Sequence, residues 1–208
     1  MLPFRALILD LGEVLVGPQP PGLVERMAEL ARVPVPAFEA GYWAHRNEYD
    51  LRGDARSYWD AVLRDAGSPL GAAAREAARP ALGALDAESW TQYRDEVWEI
   101  AERFRAAGGK TALLSNCGPE VMGRVRAQRD VPRFFDVLVA SWEVGLMKPD
   151  PAIYRLALGR LGVEAPATLF VDDRPGNVAA AEAAGLHALR FDGDASLPAL
   201  RQRIARGR

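Results

Sequence analysis

Three acidic residues stand at the ends of short apolar runs, where the side chains of a reactive site are often found. Asp10 follows the run from Arg5 to Leu9, and the pair Asp172-Asp173 follows the run from Thr168 to Val171. Adjacent acids repel one another, so they persist most readily where a divalent cation or a cationic side chain compensates them. Hard oxygen ligands of this kind suit Mg²⁺, which borrows a few carboxylates and a substrate phosphate.

A hydroxyl group, loop amides and an ammonium group complete this set. Ser115-Asn116 follows the apolar run from Thr111 to Leu114, and Lys148 stands beside Pro149, which stiffens its backbone. A single serine or lysine in a loop is usually only solvated. The order and spacing of the whole set indicate a cradle for a phosphoryl group, which Ser115 or Lys148 alone would not indicate.

The elements that must position these residues alternate between strands and helices. Each run named above is apolar on both faces, as in a buried parallel strand, and two more strands and three helices are predicted at Phe135–Ala140, His187–Phe191, Asp95–Ala107, Pro151–Leu161 and Asn177–Ala184. This alternation predicts an α/β fold with a doubly wound parallel sheet. Ligands bind beyond the carboxyl ends of such strands, so we expect the polar strand ends to meet there.

The sequence between Gly17 and about Tyr93 has a different pattern, because amphipathic helical segments replace the apolar runs. These segments are Leu23–Ala31, Ala37–Tyr49, Arg56–Asp65 and Ala72–Ala78. The insertion begins at a proline-rich stretch and is predicted to end near a helix that carries Trp90 and Tyr93. We therefore predict a core domain formed by residues 1–16 and 91–208, with an all-helical cap at 17–90.

Four motifs in this order resemble those of the haloacid dehalogenase-like (HAD) hydrolases. The motifs are Leu9-Asp10-Leu11-Gly12, Leu114-Ser115-Asn116, Lys148-Pro149 and Val171-Asp172-Asp173-Arg174-Pro175-Gly176-Asn177. They span essentially the whole chain. The resemblance further suggests the phosphatase-like subgroup, which has a helical cap after the first motif and a Rossmann-like core.

The resemblance implies a Mg²⁺-dependent phosphatase that acts on a small phosphorylated metabolite. Asp10 would be the nucleophile and form an aspartyl phosphate, with Lys148 keeping it ionised and stabilising the transition state. Ser115 and the amide of Asn116 would hold phosphoryl oxygens, and Asn177 would order the acidic loop. The metal ligands it implies are Asp10, the carbonyl of Gly12, Asp173 and, through water, Asp172.

Gly12 departs from the pattern of most phosphatases in the family, which carry a second aspartate there as the general acid. Loss of a positioned general acid typically costs ~10²- to 10⁴-fold in rate unless the leaving group is already good. We therefore expect a preference for easily expelled groups, such as aryl phosphates, acyl phosphates or an anomeric sugar phosphate. Glu13 lies one residue too late to be a full substitute.

Aromatic and cationic residues crowd one stretch of the predicted cap: Tyr42, Trp43, His45, Arg46 and Arg52. They could close over a substrate, but the favoured interpretation is that the aromatic residues pack between helices and the arginines are solvated. We assign no catalytic role to His45 or His187. Cys117 has no evident basic partner and is interpreted as an unreactive loop thiol.

The composition sets limits on partners and compartment. The 26 basic and 28 acidic residues nearly balance and form no long block of one sign, so no nucleic acid or membrane partner is expected. A single cysteine favours the reducing cytoplasm, and no stretch approaches the ~20 apolar residues that span a bilayer. The apolar run near the N-terminus contains Asp10 and Glu13, so it is not predicted to be a signal peptide. A homodimer is left open.

Three alternatives remain at this stage. A response-regulator receiver domain uses similar residues, but there the acidic pair ends the first strand. A metal-independent 2-haloacid dehalogenase would be expected to lack Asp172-Asp173. A catalytically weakened HAD-fold protein that binds a phosphorylated ligand or a partner is kept open by Gly12.

Overall fold

The computed structural model describes residues 2–205 of the 208-residue chain. Its strands are β1 (Ala6–Leu9), β2 (Lys110–Ser115), β3 (Val137–Ala140), β4 (Thr168–Asp172) and β5 (His187–Arg190). Within the described residues they form one parallel sheet in the order β3-β2-β1-β4-β5. The predicted α/β fold with a parallel sheet is confirmed, and each strand lies where a strand was predicted.

The strand register brings the chemically interesting strand ends together. Leu9 pairs with Leu113 on one side and with Val171 on the other, and the amide of Asp10 donates to the carbonyl of Val171 at 3.0 Å. The strands β2 and β3 lie on one side of β1, and β4 and β5 lie on the other. The carboxyl end of β1 is therefore the switch point of the sheet. Ligands of open parallel sheets bind at this point.

Helices cover both faces of the sheet. They are α5 (Asp95–Ala106), α6 (Pro119–Gln128), α7 (Val131–Phe134), α8 (Ser141–Val144), α9 (Pro151–Leu161), α10 (Pro175–Ala183) and α11 (Leu197–Ile204). Leu7 and Leu9 pack on one face with Trp98, whereas Ala6 and Ile8 pack on the other, because side chains alternate along a strand. In residues 2–205, none of the helices has the length and apolar character needed to cross a bilayer.

The segment between β1 and α5 is helical. A tight turn at Leu11–Leu15 leads from β1 into α1 (Pro21–Ala31), α2 (Val35–Arg52), α3 (Ala55–Asp65) and α4 (Ala72–Ser89). Apolar side chains such as Phe38, Trp59 and Leu82 bury one another in a cluster of their own. At the base of the segment its entering and leaving connections lie side by side, since Val16 forms an isolated antiparallel bridge with Tyr93 and the amide of Gly17 donates to the carbonyl of Gln92 at 2.7 Å.

Two details of this segment differ from the sequence prediction. The last helix, α4, continues through Pro80 to Ser89, well past the predicted end at Ala78. Leu82 and Leu85 pack into the helical cluster, and this burial outweighs the hydrogen bond that proline removes. The prediction of a helix carrying both Trp90 and Tyr93 is wrong, because Tyr93 lies between α4 and α5 and forms an isolated bridge with Val16.

Gly118 gives a test of the contact between the helical segment and the core. A Cβ atom at Gly118 would overlap the ring of Tyr49 on α2, which is buried and stacked on Tyr58 at 4.4 Å between ring centroids. We expect Gly118→Ala to lower the free energy of unfolding by about 1–3 kcal/mol. Urea and thermal denaturation would measure this.

Gly123 on α6 is the matched control. Apart from its chain neighbours and the backbone of its own helix, no atom of residues 2–205 lies within 4 Å of a Cβ placed there, so Gly123→Ala is expected to stabilise the protein by about 0.5–1 kcal/mol. Changes of the same sign and size in the two variants would contradict the close packing of Tyr49 on Gly118.

Candidate active site

A cavity of about 150 Å³ lies at the carboxyl ends of the strands, between the core and the helical segment. Six of the seven predicted site residues line it, namely Asp10, Gly12, Ser115, Asn116, Lys148 and Asp173. The seventh, Asp172, is fully buried beside Lys148. The sheet therefore brings together every residue that the sequence assigned to the site.

Lys148 lies between two carboxylates. Its Nζ atom is 2.8 Å from Asp10 Oδ1 and 2.7 Å from Asp172 Oδ2, and its side chain is only 1% exposed. Burial alone would lower the pKa of Lys148, but the two carboxylates raise that pKa above its ordinary value. The ammonium group therefore stays charged and fixes Asp10 in place.

The carboxylate of Asp172 is saturated with hydrogen bonds. Oδ1 accepts from the amide of Arg174 at 2.9 Å and from Asn177 Nδ2 at 2.9 Å, while Oδ2 accepts from Lys148 Nζ. Burial raises the pKa of Asp172, but Lys148 and these hydrogen bonds hold it below its ordinary value. Asn177 thus orders the acidic loop, as the sequence predicted, and Asp172 mainly orients Lys148.

Asn116 connects the end of β2 to the loop that carries Lys148. Its Nδ2 atom donates to the carbonyl of Lys148 and its Oδ1 atom accepts from the amide of Lys148, both at 2.8 Å. This reciprocal pair was not anticipated from the sequence, which assigned a role to the Asn116 amide only. Ser115, the last residue of β2, lies buried at the wall of the cavity.

Asp10, Asp172 and Asp173 form an acidic cluster in which one carboxylate oxygen from each residue lies within 4.8 Å of the other two. Burial raises the pKa of Asp10 to about 7 although Lys148 opposes the rise, and the neighbouring Asp172 and Asp173 raise it further. The pKa of Asp173 is also raised, by burial and by Asp172. Three carboxylates facing one ammonium group leave excess negative charge, so this donor set fits a divalent cation with hard oxygen ligands.

A second charged group lies on the other side of the cavity, within the helical segment. Arg46 is 5% exposed, and its Nη1 atom donates to both carboxylate oxygens of Asp86 at 2.9 and 3.0 Å. Its Nε atom lies 2.9 Å from Asp50 Oδ1. The interpretation of Arg46 as a solvated residue is therefore wrong: two acids compensate its charge, which allows its burial.

The other residues of the predicted cap stretch differ in their positions. Tyr42 is buried in the helical cluster, and Trp43 is 44% exposed at the edge of the cavity. Arg52 is exposed on α2 and pairs with Glu48, and His45 pairs with Asp65. Arg52 is thus solvated, as the favoured interpretation expected.

Sequence reasoning missed the partners of Arg46. Asp50 follows it by four residues on the same helix, which is the spacing of a helical ion pair and could have been noticed. Asp86 lies on α4, 40 residues further on, and no local pattern indicates it.

Cys117 is buried, and burial raises its pKa to about 12, which agrees with its interpretation as an unreactive thiol.

A parallel sheet with ionisable groups around a cavity at its switch point is typical of a catalytic or ligand-binding α/β protein. A family model for haloacid dehalogenase-like hydrolases matches residues 4–185. This chain therefore belongs to that hydrolase family, and the resemblance inferred from its four motifs is confirmed.

Relatives within the family differ in activity. The chain is 33% identical to a phosphoserine phosphatase of Thermus thermophilus, over 48% of this chain and 42% of that protein. It is 28% identical to (S)-2-haloacid dehalogenase 4A of Burkholderia cepacia, over 48% of this chain and 43% of that protein. The matched region thus spans less than half the length of either relative.

Solved structures extend the similarity in fold to nearly the whole chain. A HAD family enzyme from Bacteroides thetaiotaomicron, solved as a point mutant with magnesium and inorganic phosphate, gives a TM-score of 0.73 at 17% identity and covers 92% of this chain and 95% of its own. An L-2-haloacid dehalogenase gives 0.66 at 22% identity, covering 91% and 86%. At these identities the likeness concerns the fold alone.

Lys148 provides a test of the charge arrangement. Lys148→Met leaves the buried Asp10 and Asp172 without their cation, so we expect the free energy of unfolding to fall by about 3–5 kcal/mol. Urea denaturation without added divalent cations measures this, because a bound cation could replace the ammonium group. The exposed Lys110, the only other lysine in the chain, supplies the control Lys110→Met, and equal losses in both variants would refute the assigned role.

Proposed function

We propose that this chain is a Mg²⁺-dependent phosphatase that hydrolyses a small phosphorylated metabolite through an aspartyl phosphate on Asp10. The observation that carries the proposal is the acidic cluster of Asp10, Asp172 and Asp173 around the Lys148 ammonium group. A trianionic site with one cation suits a divalent metal and a phosphate dianion together. The cavity of about 150 Å³ suits a small substrate.

Each residue of the site has its own role in the proposed phosphoryl transfer. Asp10 attacks phosphorus in line, and water later hydrolyses the aspartyl phosphate. Ser115 and the amide of Asn116 bind phosphoryl oxygens, and Lys148 stabilises the charge that develops in the transition state. Asp10, the Gly12 carbonyl, Asp173 and, through water, Asp172 would hold Mg²⁺, which when bound supplies neutralising charge beside the phosphate.

We propose that residues 17–90 act as the cap that covers the substrate, because Trp43 and Arg46 line the cavity from this segment. We also propose that the protein works in the cytoplasm on a small molecule, without a nucleic acid or membrane partner. The nearly balanced charge of 26 basic and 28 acidic residues and the single cysteine support this.

A haloacid dehalogenase activity is the second candidate, because relatives with that name match the chain. The metal-independent reaction gives no reason to place Asp173 beside Asp172, where the two carboxylates raise each other's energy. The cluster therefore favours phosphate chemistry over dehalogenation. A protein that only binds a phosphorylated ligand would keep the same cradle, and turnover distinguishes that case.

We expect Mg²⁺-dependent hydrolysis of p-nitrophenyl phosphate, abolished by a chelator. Asp10→Asn removes the nucleophilic carboxylate and should lower kcat by about 10³-fold or more, as substitution of a nucleophile does in other hydrolases. Release of nitrophenol and of phosphate measures the activity. The exposed Asp130 gives the control Asp130→Asn, which should leave the rate unchanged. Activity that persists in Asp10→Asn or with chelator would exclude the proposed mechanism.

Metal binding can be measured without turnover. A ligand present at 100 times its Kd stabilises the folded state by about 2.7 kcal/mol, so Mg²⁺ should raise the Tm of the protein by roughly 5–10 °C at that concentration. Asp173→Asn should lose most of this shift, whereas Asp130→Asn should keep it. A dehalogenase would instead release chloride from 2-chloropropionate in the presence of chelator, with no effect of Mg²⁺ on Tm.

A further inference from the structure

The turn that follows the nucleophile of the proposed phosphatase has Gly12 at the position where most phosphatases of the family carry a proton-donating aspartate. The neighbouring Glu13 is exposed at the edge of the cavity, one residue after that position. In phosphoryl transfer the attacking and leaving oxygens lie roughly in line. Because Asp10 attacks from the side of the sheet, the leaving oxygen points away from the sheet, towards the helical segment. We therefore expect the proton donor for this oxygen to lie on that segment.

Asp50 is a carboxylate on α2, which belongs to the helical segment. It is 5% exposed and lines the same cavity as Asp10 and Lys148. Ser141 fixes its backbone to the core, since the Ser141 hydroxyl donates to the carbonyl of Asp50 and accepts from the amide of Cys117 at 3.1 Å. Cys117 lies two residues after Ser115, so this bridge connects the backbone of Asp50 with the predicted phosphate cradle.

The hydrogen bonds of Arg46 compensate its two carboxylate partners unequally. Asp86 accepts from Arg46 through both of its oxygens and also accepts from the Tyr42 hydroxyl. The Oδ1 atom of Asp50 lies 2.9 Å from the Arg46 Nε atom, which is close enough for an ion pair. This atom is nevertheless buried without an aligned hydrogen bond from any described residue. One guanidinium group thus faces two buried carboxylates, and Asp50 is the less well compensated of the two.

We propose that Asp50 is the general acid that protonates the leaving group, a role that rests on the proposed phosphatase function. As the bond between Asp10 and phosphorus forms, the bond from phosphorus to the ester oxygen breaks. That oxygen keeps the electron pair and takes the proton of Asp50. In the second step water attacks phosphorus, its proton passes to the Asp50 carboxylate, and the bond between phosphorus and Asp10 breaks, which restores both residues.

The charges that face Asp50 are consistent with this role. Burial raises the pKa of Asp50 to about 6, although the charge of Arg46 opposes this rise. Asp86 on α4 also raises the pKa of Asp50, and Arg174 after β4 lowers it. A general acid works best with a pKa near the operating pH. Cys117, which also faces Asp50, has its pKa raised to about 12 by burial and cannot donate readily.

Leaving-group dependence tests the assignment. An alkyl alcohol needs protonation as it leaves, whereas p-nitrophenolate does not, so Asp50→Asn should lower kcat/KM for an alkyl phosphate such as glycerol 3-phosphate by about 10²- to 10⁴-fold. The kcat/KM for p-nitrophenyl phosphate should fall much less, since this parameter ends at the first irreversible step. Glu48→Gln, which removes an exposed carboxylate from the same helix, is the matched control and should leave both values unchanged.

Rescue and a pH profile make the test independent of a folding defect. A Cβ atom at Gly12 would lie 3.8 Å from Trp90, an ordinary contact, so adding Gly12→Asp to Asp50→Asn should restore alkyl phosphate hydrolysis. Ionisation of Asp10 changes kcat/KM for both esters alike, so the ratio of kcat/KM for the alkyl ester to kcat/KM for the p-nitrophenyl ester isolates the effect of Asp50. In the wild-type protein this ratio should decrease as the pH rises past about 6, where Asp50 loses its proton.

The outcomes separate the two proposals. Equal losses on both esters in Asp50→Asn, or a selective loss in Glu13→Gln instead, would overturn the role of Asp50 while Mg²⁺-dependent hydrolysis of p-nitrophenyl phosphate still supports the phosphatase. If the wild-type protein hydrolyses neither ester, the proposed function fails and the role of Asp50 fails with it.

Discussion

The candidate site depends on the position of Lys148 between Asp10 and Asp172. Two ion pairs of 2.8 and 2.7 Å hold one buried ammonium group, and they form only because β1 and β4 are neighbours in the sheet. Asn116 fixes the backbone of Lys148, and Asn177 fixes the carboxylate of Asp172. A change in strand order or register would leave buried charges without partners, which proteins rarely tolerate.

The site keeps more negative charge than its lysine compensates. Asp173 adds a third carboxylate to the cluster. Burial raises the pKa of Asp10 to about 7, and the charges of Asp172 and Asp173 add to this rise. Such an arrangement costs stability unless a cation binds, so its persistence points to function. The same excess of charge that attracts a metal ion would, without Lys148, repel a phosphate dianion. The lysine and the acids are therefore complementary requirements of one site.

The core could be predicted from the sequence, and the helical segment only in part. Asp10, Ser115 and Asp172 were identifiable because each follows an apolar run, and because the ends of parallel strands meet by geometry alone. Arg46 was misjudged because its partner Asp86 lies on another helix, and no periodicity shows which helices pack together. The extent of α4 was missed because Pro80 is a local signal for a helix end, while burial of Leu82 and Leu85 depends on the tertiary fold.

The cavity thus lies between two groups of similar composition, each with one buried cation and two carboxylates. On the sheet side, Lys148 holds Asp10 and Asp172 with short contacts to both. On the side of the helical segment, Arg46 satisfies Asp86 with two hydrogen bonds but Asp50 with none that is aligned, and this asymmetry suits the proton donor proposed above. The difference between the two groups, more than their shared charge, separates the roles proposed for Asp10, which Lys148 contacts directly, and for Asp50, whose Oδ1 atom has no aligned hydrogen bond from any described residue. It also gives a physical reason why glycine can occupy position 12: the proton donor need not lie in the turn of the nucleophile when a helix above it supplies one.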